Sequence, residues 1–235
     1  MATLIQISET LWTIDGPVVD WFFPFPTRMT IARLTGDDLF IHSPVELTPD
    51  VRKAVESLGT PRYLVSPNKM HHLFWHEWQE VYKDALSFSP PALREKRPDL
   101  KFYGTLGDRP HPAWAQQLDQ LMFKGSRFLD EVIFFHRDSR TVIFGDLLEN
   151  IDPGPLPWFP RLLARLSGVT APRGGTPLDY RFSFVMRRAE ARECLQRIID
   201  WAPQQIIMCH GIPVRQDALP FIKSAFAWLG TARKL

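Results

Sequence analysis

The chain has 235 residues, 45% hydrophobic and 12% aromatic, enough for a sizeable core and for one domain over residues 1–235. Its 28 basic and 26 acidic side chains leave a net charge of +2, so charge gives no argument for nucleic acid or a membrane as partner. No apolar run reaches the roughly 18 residues of a membrane span, no basic-then-apolar leader opens the chain, and the two cysteines lack CxxC spacing, so a reducing, cytoplasmic setting is expected. Basic residues do cluster between Arg161 and Arg188. Prolines and apolar residues interrupt them, and a solvated surface is expected there.

In chain order, residues 4–7 and 11–14 read as strands with a turn between them. Asp15-Gly16-Pro17 stops the second. Residues 18–26, VVDWFFPFP, are aromatic-rich and broken by Pro24 and Pro26. They predict a loop rather than a central strand, either plugging a core edge or lining a pocket mouth. Residues 29–34 and 39–42 form a hairpin signal across Thr35-Gly36-Asp37-Asp38. A helix follows over residues 48–58, with Thr48 as its N-cap and Gly59 as its stop. The strand at residues 62–65 comes straight after that helix, which is a βαβ order with a parallel neighbour.

That strand breaks at Ser66-Pro67-Asn68 and delivers His71, His72 and His76, three of the chain's seven histidines. Imidazole is the commonest protein metal ligand, so the cluster is a candidate site. Residues 73–85 have helical composition, residues 90–98 hold one short helix, and residues 100–114 read as loop. The β pattern restarts at residues 131–135 and 141–144, a hairpin that runs directly into Gly145-Asp146. Helices are expected at residues 161–166, 189–201 and 218–229, the last capped by Asp217. A short strand at residues 205–209 ends at His210-Gly211. Two β-rich blocks, each followed by helices, predict an α/β fold, an αββα sandwich.

Three strands thus end in His71-His72, Asp146 and His210. In open α/β sheets, ligands gather outside the carboxyl ends of strands. Imidazole and carboxylate together suit zinc, with iron or manganese as alternatives. Around them, Asn68, Lys69, His42 and Trp21 are candidate substrate contacts. His76 reads as a surface residue, His111 as exposed loop, His136 as a hairpin turn residue, and Cys209 as core. The GxxxxGK[ST], GxGxxG and GxSxG motifs are absent, so nucleotide loops and a serine elbow are unsupported.

The order of strand, histidine cluster, apolar hairpin ending in Gly-Asp and late strand ending in His-Gly resembles the metallo-β-lactamase superfamily. Within it, the phrases RMTIARL, LFIHSP, VSPNKMHH, EVIFFHRDSRTVIFGDLLEN and MCHG resemble the family of unknown function DUF4336. The resemblance implies a metallo-β-lactamase-like fold and a metal site. Laid on the usual HxHxDH motif, Pro67 and Lys69 stand at the first two His positions and His71 at the Asp position. The next ligand, a His expected near Arg127, is missing. Half of the usual dinuclear site is therefore gone, with the Lys69 ammonium where one metal would sit. The other half is His71, His72, Asp146 and His210, with Asp146 also the catalytic candidate, holding the metal or orienting water. Two functions follow as expectations. One is a mononuclear metallo-hydrolase acting on a small ester, lactone, thioester or phosphoester. The other is a non-catalytic binding or scaffold protein.

Overall fold

The computed structural model describes residues 3–20 and 23–230. Its elements are β1 (Leu4–Ser8), β2 (Leu11–Asp20), β3 (Pro24–Arg33), β4 (Asp38–His42), α1 (Pro49–Glu56), β5 (Thr60–Val65), α2 (Trp75–Val81), β6 (Leu86–Ser89), α3 (Pro91–Lys96), β7 (Gly104–Thr105), β8 (Leu118–Phe123), β9 (Glu131–His136), β10 (Thr141–Phe144), α4 (Trp158–Ser167), α5 (Leu178–Ser183), α6 (Arg188–Asp200), β11 (Gln205–Met208) and α7 (Ala218–Ala225). Strands β1 to β7 form one sheet in sequence order. The second sheet runs β11-β10-β9-β8.

Alternation along the strands assigns the layers. In β9, Val132 and Phe134 face β4 and β5 residues Phe40 and Val65 in the layer between the sheets. Their neighbours Ile133 and Phe135 face the opposite way, onto Cys194 and Ile198 of α6, Ile222 of α7 and Phe226 just after it. On the far side, Ile31, Ile41 and Leu64 pack against Val51, Val55, Trp75 and Trp78 of α1 and α2. Each layer buries one face of a sheet, and each fully buried large apolar side chain contributes about 1.5–3 kcal/mol. The result is helices, sheet, sheet, helices: the αββα sandwich.

The expected β3–β4 hairpin forms, with Arg33 opposite Leu39, and Gly36 at φ 79° makes the turn. Strands β4 and β5 are parallel around α1, and β10 and β11 are parallel around the segment that holds α4 to α6. Thr48 caps α1 as expected, accepting from the Val51 N–H. Asp217 does not cap α7 through its side chain; it sits at φ 56° instead.

The stretch 18–26 is corrected in its described part. Strand β2 continues to Asp20 past a register shift between Asp15 and Val18, and Val18, Val19 and Asp20 pair with Pro26, Phe25 and Pro24. The prolines are tolerated because β4 covers β3 only from Thr30 to Arg33. At Pro24 and Pro26, β3 has one neighbour, so no ladder bond is lost on the open side. Strands β6, β7 and β8 have no counterpart in the sequence reading, because β6 and β7 are short and β8 mixes apolar and polar residues. Among the described residues, no helix is long and apolar enough to cross a membrane.

Candidate metal centre

Four strand ends meet on one rim: Ser43 after β4, the loop 66–72 after β5, Gly145-Asp146 after β10 and Cys209-His210 after β11. The loop after β5 is knitted by the Ser66 hydroxyl, 2.7 Å from the Asn68 carbonyl and 2.8 Å from the His71 carbonyl. That turn aims His71 inward. Its Nε2 lies 3.2 Å from Asp146 Oδ1, and His210 Nε2 lies 2.9 Å from the same oxygen. The metal-ligating atoms of His71, Asp146 and His210 all lie within 4.8 Å of one another.

The opposite atom of each group is held by a hydrogen bond. His71 Nδ1 is 2.6 Å from Ser43 Oγ, His210 Nδ1 donates to the Pro26 carbonyl at 2.6 Å, and Asp146 Oδ2 accepts from Asn68 Nδ2 at 2.9 Å. Such outer contacts fix ring orientation and tautomer in metal sites. Ser43 reaches His71 from a left-handed backbone, φ 55° without being glycine, which stores local strain. Gly211 follows His210 at φ 102°, and a Cβ there would meet the Asn150 carbonyl oxygen at 2.2 Å. The turn that presents His210 therefore requires glycine. Arg28 secures the same strand end, donating to the Met208 carbonyl at 3.0 Å, to the Gly211 carbonyl, and to Asp15 at 2.7 Å.

Electrostatics agree with the geometry. Burial alone would raise the Asp146 carboxyl, but His71 and His210 outweigh it and hold Asp146 well below the usual carboxylate range. Burial opposes the His210 charge, but the Asp146 hydrogen bond wins and raises that imidazole to about 9. His71 Nε2 is buried and has no hydrogen-bond partner of acceptable geometry. Its polar neighbour is Asp146 Oδ1 at 3.2 Å, a spacing at which a cation shared with Asp146 and His210 could sit. Two imidazoles and a carboxylate fit a divalent transition metal and leave positions open.

His72 is corrected. Its Nδ1 accepts from the Arg97 guanidinium at 2.9 Å, outside the group of three. Burial, Lys96 and Arg97 push it down to about 4. Adjacent loop residues point apart, and Ser66 selects His71. Asn68 is fully buried and spends its amide hydrogens on Asp146 and, at 3.0 Å, on Glu131, so it positions the site from beneath rather than facing a substrate. His42 is also corrected: it is fully buried in the core, edge-on to Phe134 at 5.6 Å, with its Nδ1 3.9 Å from Cys209 Sγ. The Lys69 ammonium stands 4.2 Å over the Phe128 ring. Trp21 lies outside the described residues. His76 is exposed beside Glu80 at 3.1 Å, His111 packs on Phe88 and Trp114, and His136 bonds Ser139 at 2.8 Å from a buried position. Both cysteines are free and buried.

His42 carries a pH prediction. Burial, helped by His71, lowers its imidazole from 6.5 to about 3. As pH falls, the unfolded chain takes up this proton first. Stability present above pH 6.5 is therefore lost as pH falls towards 3, by about 3 kcal/mol from this residue between pH 7 and pH 4. His42→Leu is expected to flatten the acid limb by that amount in urea titrations across this range. Parallel limbs for the two proteins would count against it.

Glu131 is the functional residue that sequence reasoning missed. It opens β9 at 1% exposure. Its carboxylate accepts from the Gly145 N–H at 2.8 Å, the Asp146 N–H at 2.7 Å, the Leu147 N–H at 3.0 Å and Asn68 Nδ2. All four contacts are donated to it, the arrangement expected of an ionised carboxylate. Burial and the Asp146 charge work against them and raise it to about 7. A Glu heading an otherwise apolar strand was the available signal. Glu149 is buried near His210 and Asp146, and burial pushes its carboxyl up to about 8.

The chain superposes on a metallo-β-lactamase from Pontibacter korlensis with TM-score 0.69 and 12% identity, covering 99% of this chain and 100% of that one. The fold is the metallo-β-lactamase fold. The metallo-β-lactamase FIM-1 from Pseudomonas aeruginosa, in a mono-zinc form, matches with TM-score 0.64 and 13% identity over 97% of this chain and 94% of that one. The metallo-β-lactamase DIM-1, exposed to ceftazidime, matches with TM-score 0.65 and 14% identity over 95% of each chain. No family model and no curated protein matches this chain. In the metallo-β-lactamase fold of this chain, the candidate centre lies where the two parallel strand pairs, β4-β5 and β10-β11, end together.

Proposed function

We propose that the chain is a mononuclear metal-dependent hydrolase acting on a small ester, lactone, thioester or phosphoester. Its metal would be held by His71, Asp146 and His210. The observation that carries this reading is the convergence of His71 Nε2 and His210 Nε2 on Asp146 Oδ1, in a group whose other atoms are all anchored. The fold's mono-zinc relative supports a one-metal form. When bound, a divalent ion with open positions supplies Lewis acidity and lowers the pKa of water.

The chain's own residues set the rest. Asn68 and Glu131 hold Asp146 rigid, and Ser43 and Pro26 orient the two imidazoles. Zinc is the first choice for this donor set, with iron or manganese next. The phrases resembling DUF4336 support placing the chain in that branch of the fold. Two free buried cysteines support a reducing, cytoplasmic setting.

Protein purified without chelator is expected to carry about one equivalent of transition metal per chain, or to take it up on incubation with zinc, manganese or iron. An anomalous map should place it between His71 and His210. Only trace metal after such incubation would sink the hydrolase and favour a binding or scaffold protein. That second reading is motivated by Pro67, Lys69 and Arg127 standing where further ligands are usual.

A further inference from the structure

The outer face of α4 and α5 takes no part in the candidate metal centre. Helix α4 buries only Ala164. Its large residues point away from the protein. Trp158 is 77% exposed, Leu166 67%, Phe182 of α5 68% and Met186 just beyond it 76%. Trp158, Leu162 and Leu166 recur every fourth residue and so form one stripe, with Phe159 beside it. Isolated exposed apolar residues are ordinary, but a contiguous helical stripe of this kind marks an interaction surface.

The charge around the stripe selects its occupant. No acidic residue occurs between Asp152 and Asp179. Arg165 and Arg173 are both exposed, and neither has a carboxylate partner among the described residues. Together they line a cavity of about 370 Å³ with Thr170, Gly174 and Ser224. The C-terminal end of α4 lies at this cavity and disfavours an anion modestly; two guanidinium groups outweigh that. A second copy of the chain would bring like charges together across a self-complementary interface, with only Asp179 on these two helices to offset them. An apolar stripe flanked by unpaired arginines instead matches the boundary layer of an anionic membrane.

We propose that α4 and α5 dock the protein on an anionic bilayer, with the apolar stripe in the headgroup boundary and a lipid phosphate between Arg165 and Arg173. The site lies close by. Ala164 shares a packed cluster with Phe23, Phe25 lies against that cluster, and the Phe25 ring is 5.7 Å from His210. The expectation from net charge alone was no membrane partner. A net charge averages over the whole surface, and the structure collects basic and apolar groups on one face.

The test is co-sedimentation of the full chain with phosphatidylcholine vesicles, with and without about 30% phosphatidylglycerol. Binding is expected only to the anionic vesicles and should weaken with salt. Arg165→Gln with Arg173→Gln should lower the partition coefficient about thirtyfold. Trp158→Ser with Leu166→Ser should abolish binding while circular dichroism and melting stay as in the parent, since these side chains are exposed. The proposal is overturned by no preference for anionic vesicles, by binding that both double variants keep, or by a dimer in solution that the apolar pair dissolves without lipid binding.

Discussion

Glu131→Ala is expected to lower the unfolding free energy by about 1–9 kcal/mol, with the cavity adding to that. The substitution removes the acceptor of four buried donors: three successive backbone N–H groups of the Gly145-Asp146-Leu147 turn and the Asn68 amide. Each unsatisfied buried donor costs about 1–3 kcal/mol, so four cost about 4–12 together, and the cavity adds to this. Relief of like charge beside Asp146 works the other way by about 3 kcal/mol at an effective dielectric of 20. The lost bonds win. Because the same turn aims Asp146, metal retention should fall with stability. Glu131→Gln keeps the volume and one acceptor oxygen and should lose less on both counts. Equal urea midpoints for the parent and Glu131→Ala would show that the turn does not depend on this carboxylate.

Asp146→Asn should reduce metal retention about a hundredfold or more while the fold persists. Asp146 is the only carboxylate in the group of three, and its Oδ1 faces both Nε2 atoms. The amide keeps the size and can still accept from Asn68, so packing is preserved. What goes is the negative charge that a divalent ion needs in a buried place. Metal content after dialysis, with circular dichroism as the fold control, reads the outcome. Metal retained at the parent level would overturn the assignment of this centre.

Both predictions rest on groups far apart in sequence. Much of the frame was legible without the structure. The apolar runs at residues 131–135 and 141–144, the Thr35–Asp38 turn and the helix between β4 and β5 are local signals, and each produced the element expected. The rule that ligands gather at strand ends placed Asp146 and His210 on one rim. A proline-broken aromatic run misled, because tolerance of Pro24 and Pro26 depends on how far β4 extends, which is not a local property.

The choice between His71 and His72 was also beyond the sequence. Sequence alone determined that histidines would arrive at the end of β5. Only the tertiary structure decided which one turned inward, through Ser66 within the loop, Ser43 just after β4 and Arg97 just beyond α3. Glu131 was readable as a strand residue, but its role depends on the antiparallel register that lays the start of β9 under the end of β10. Periodicity reports which face of an element is buried; it carries no information about which distant polar group will meet it there. That pairing is set by the packing of whole sheets, and it made a strand-opening glutamate the support of the candidate metal centre.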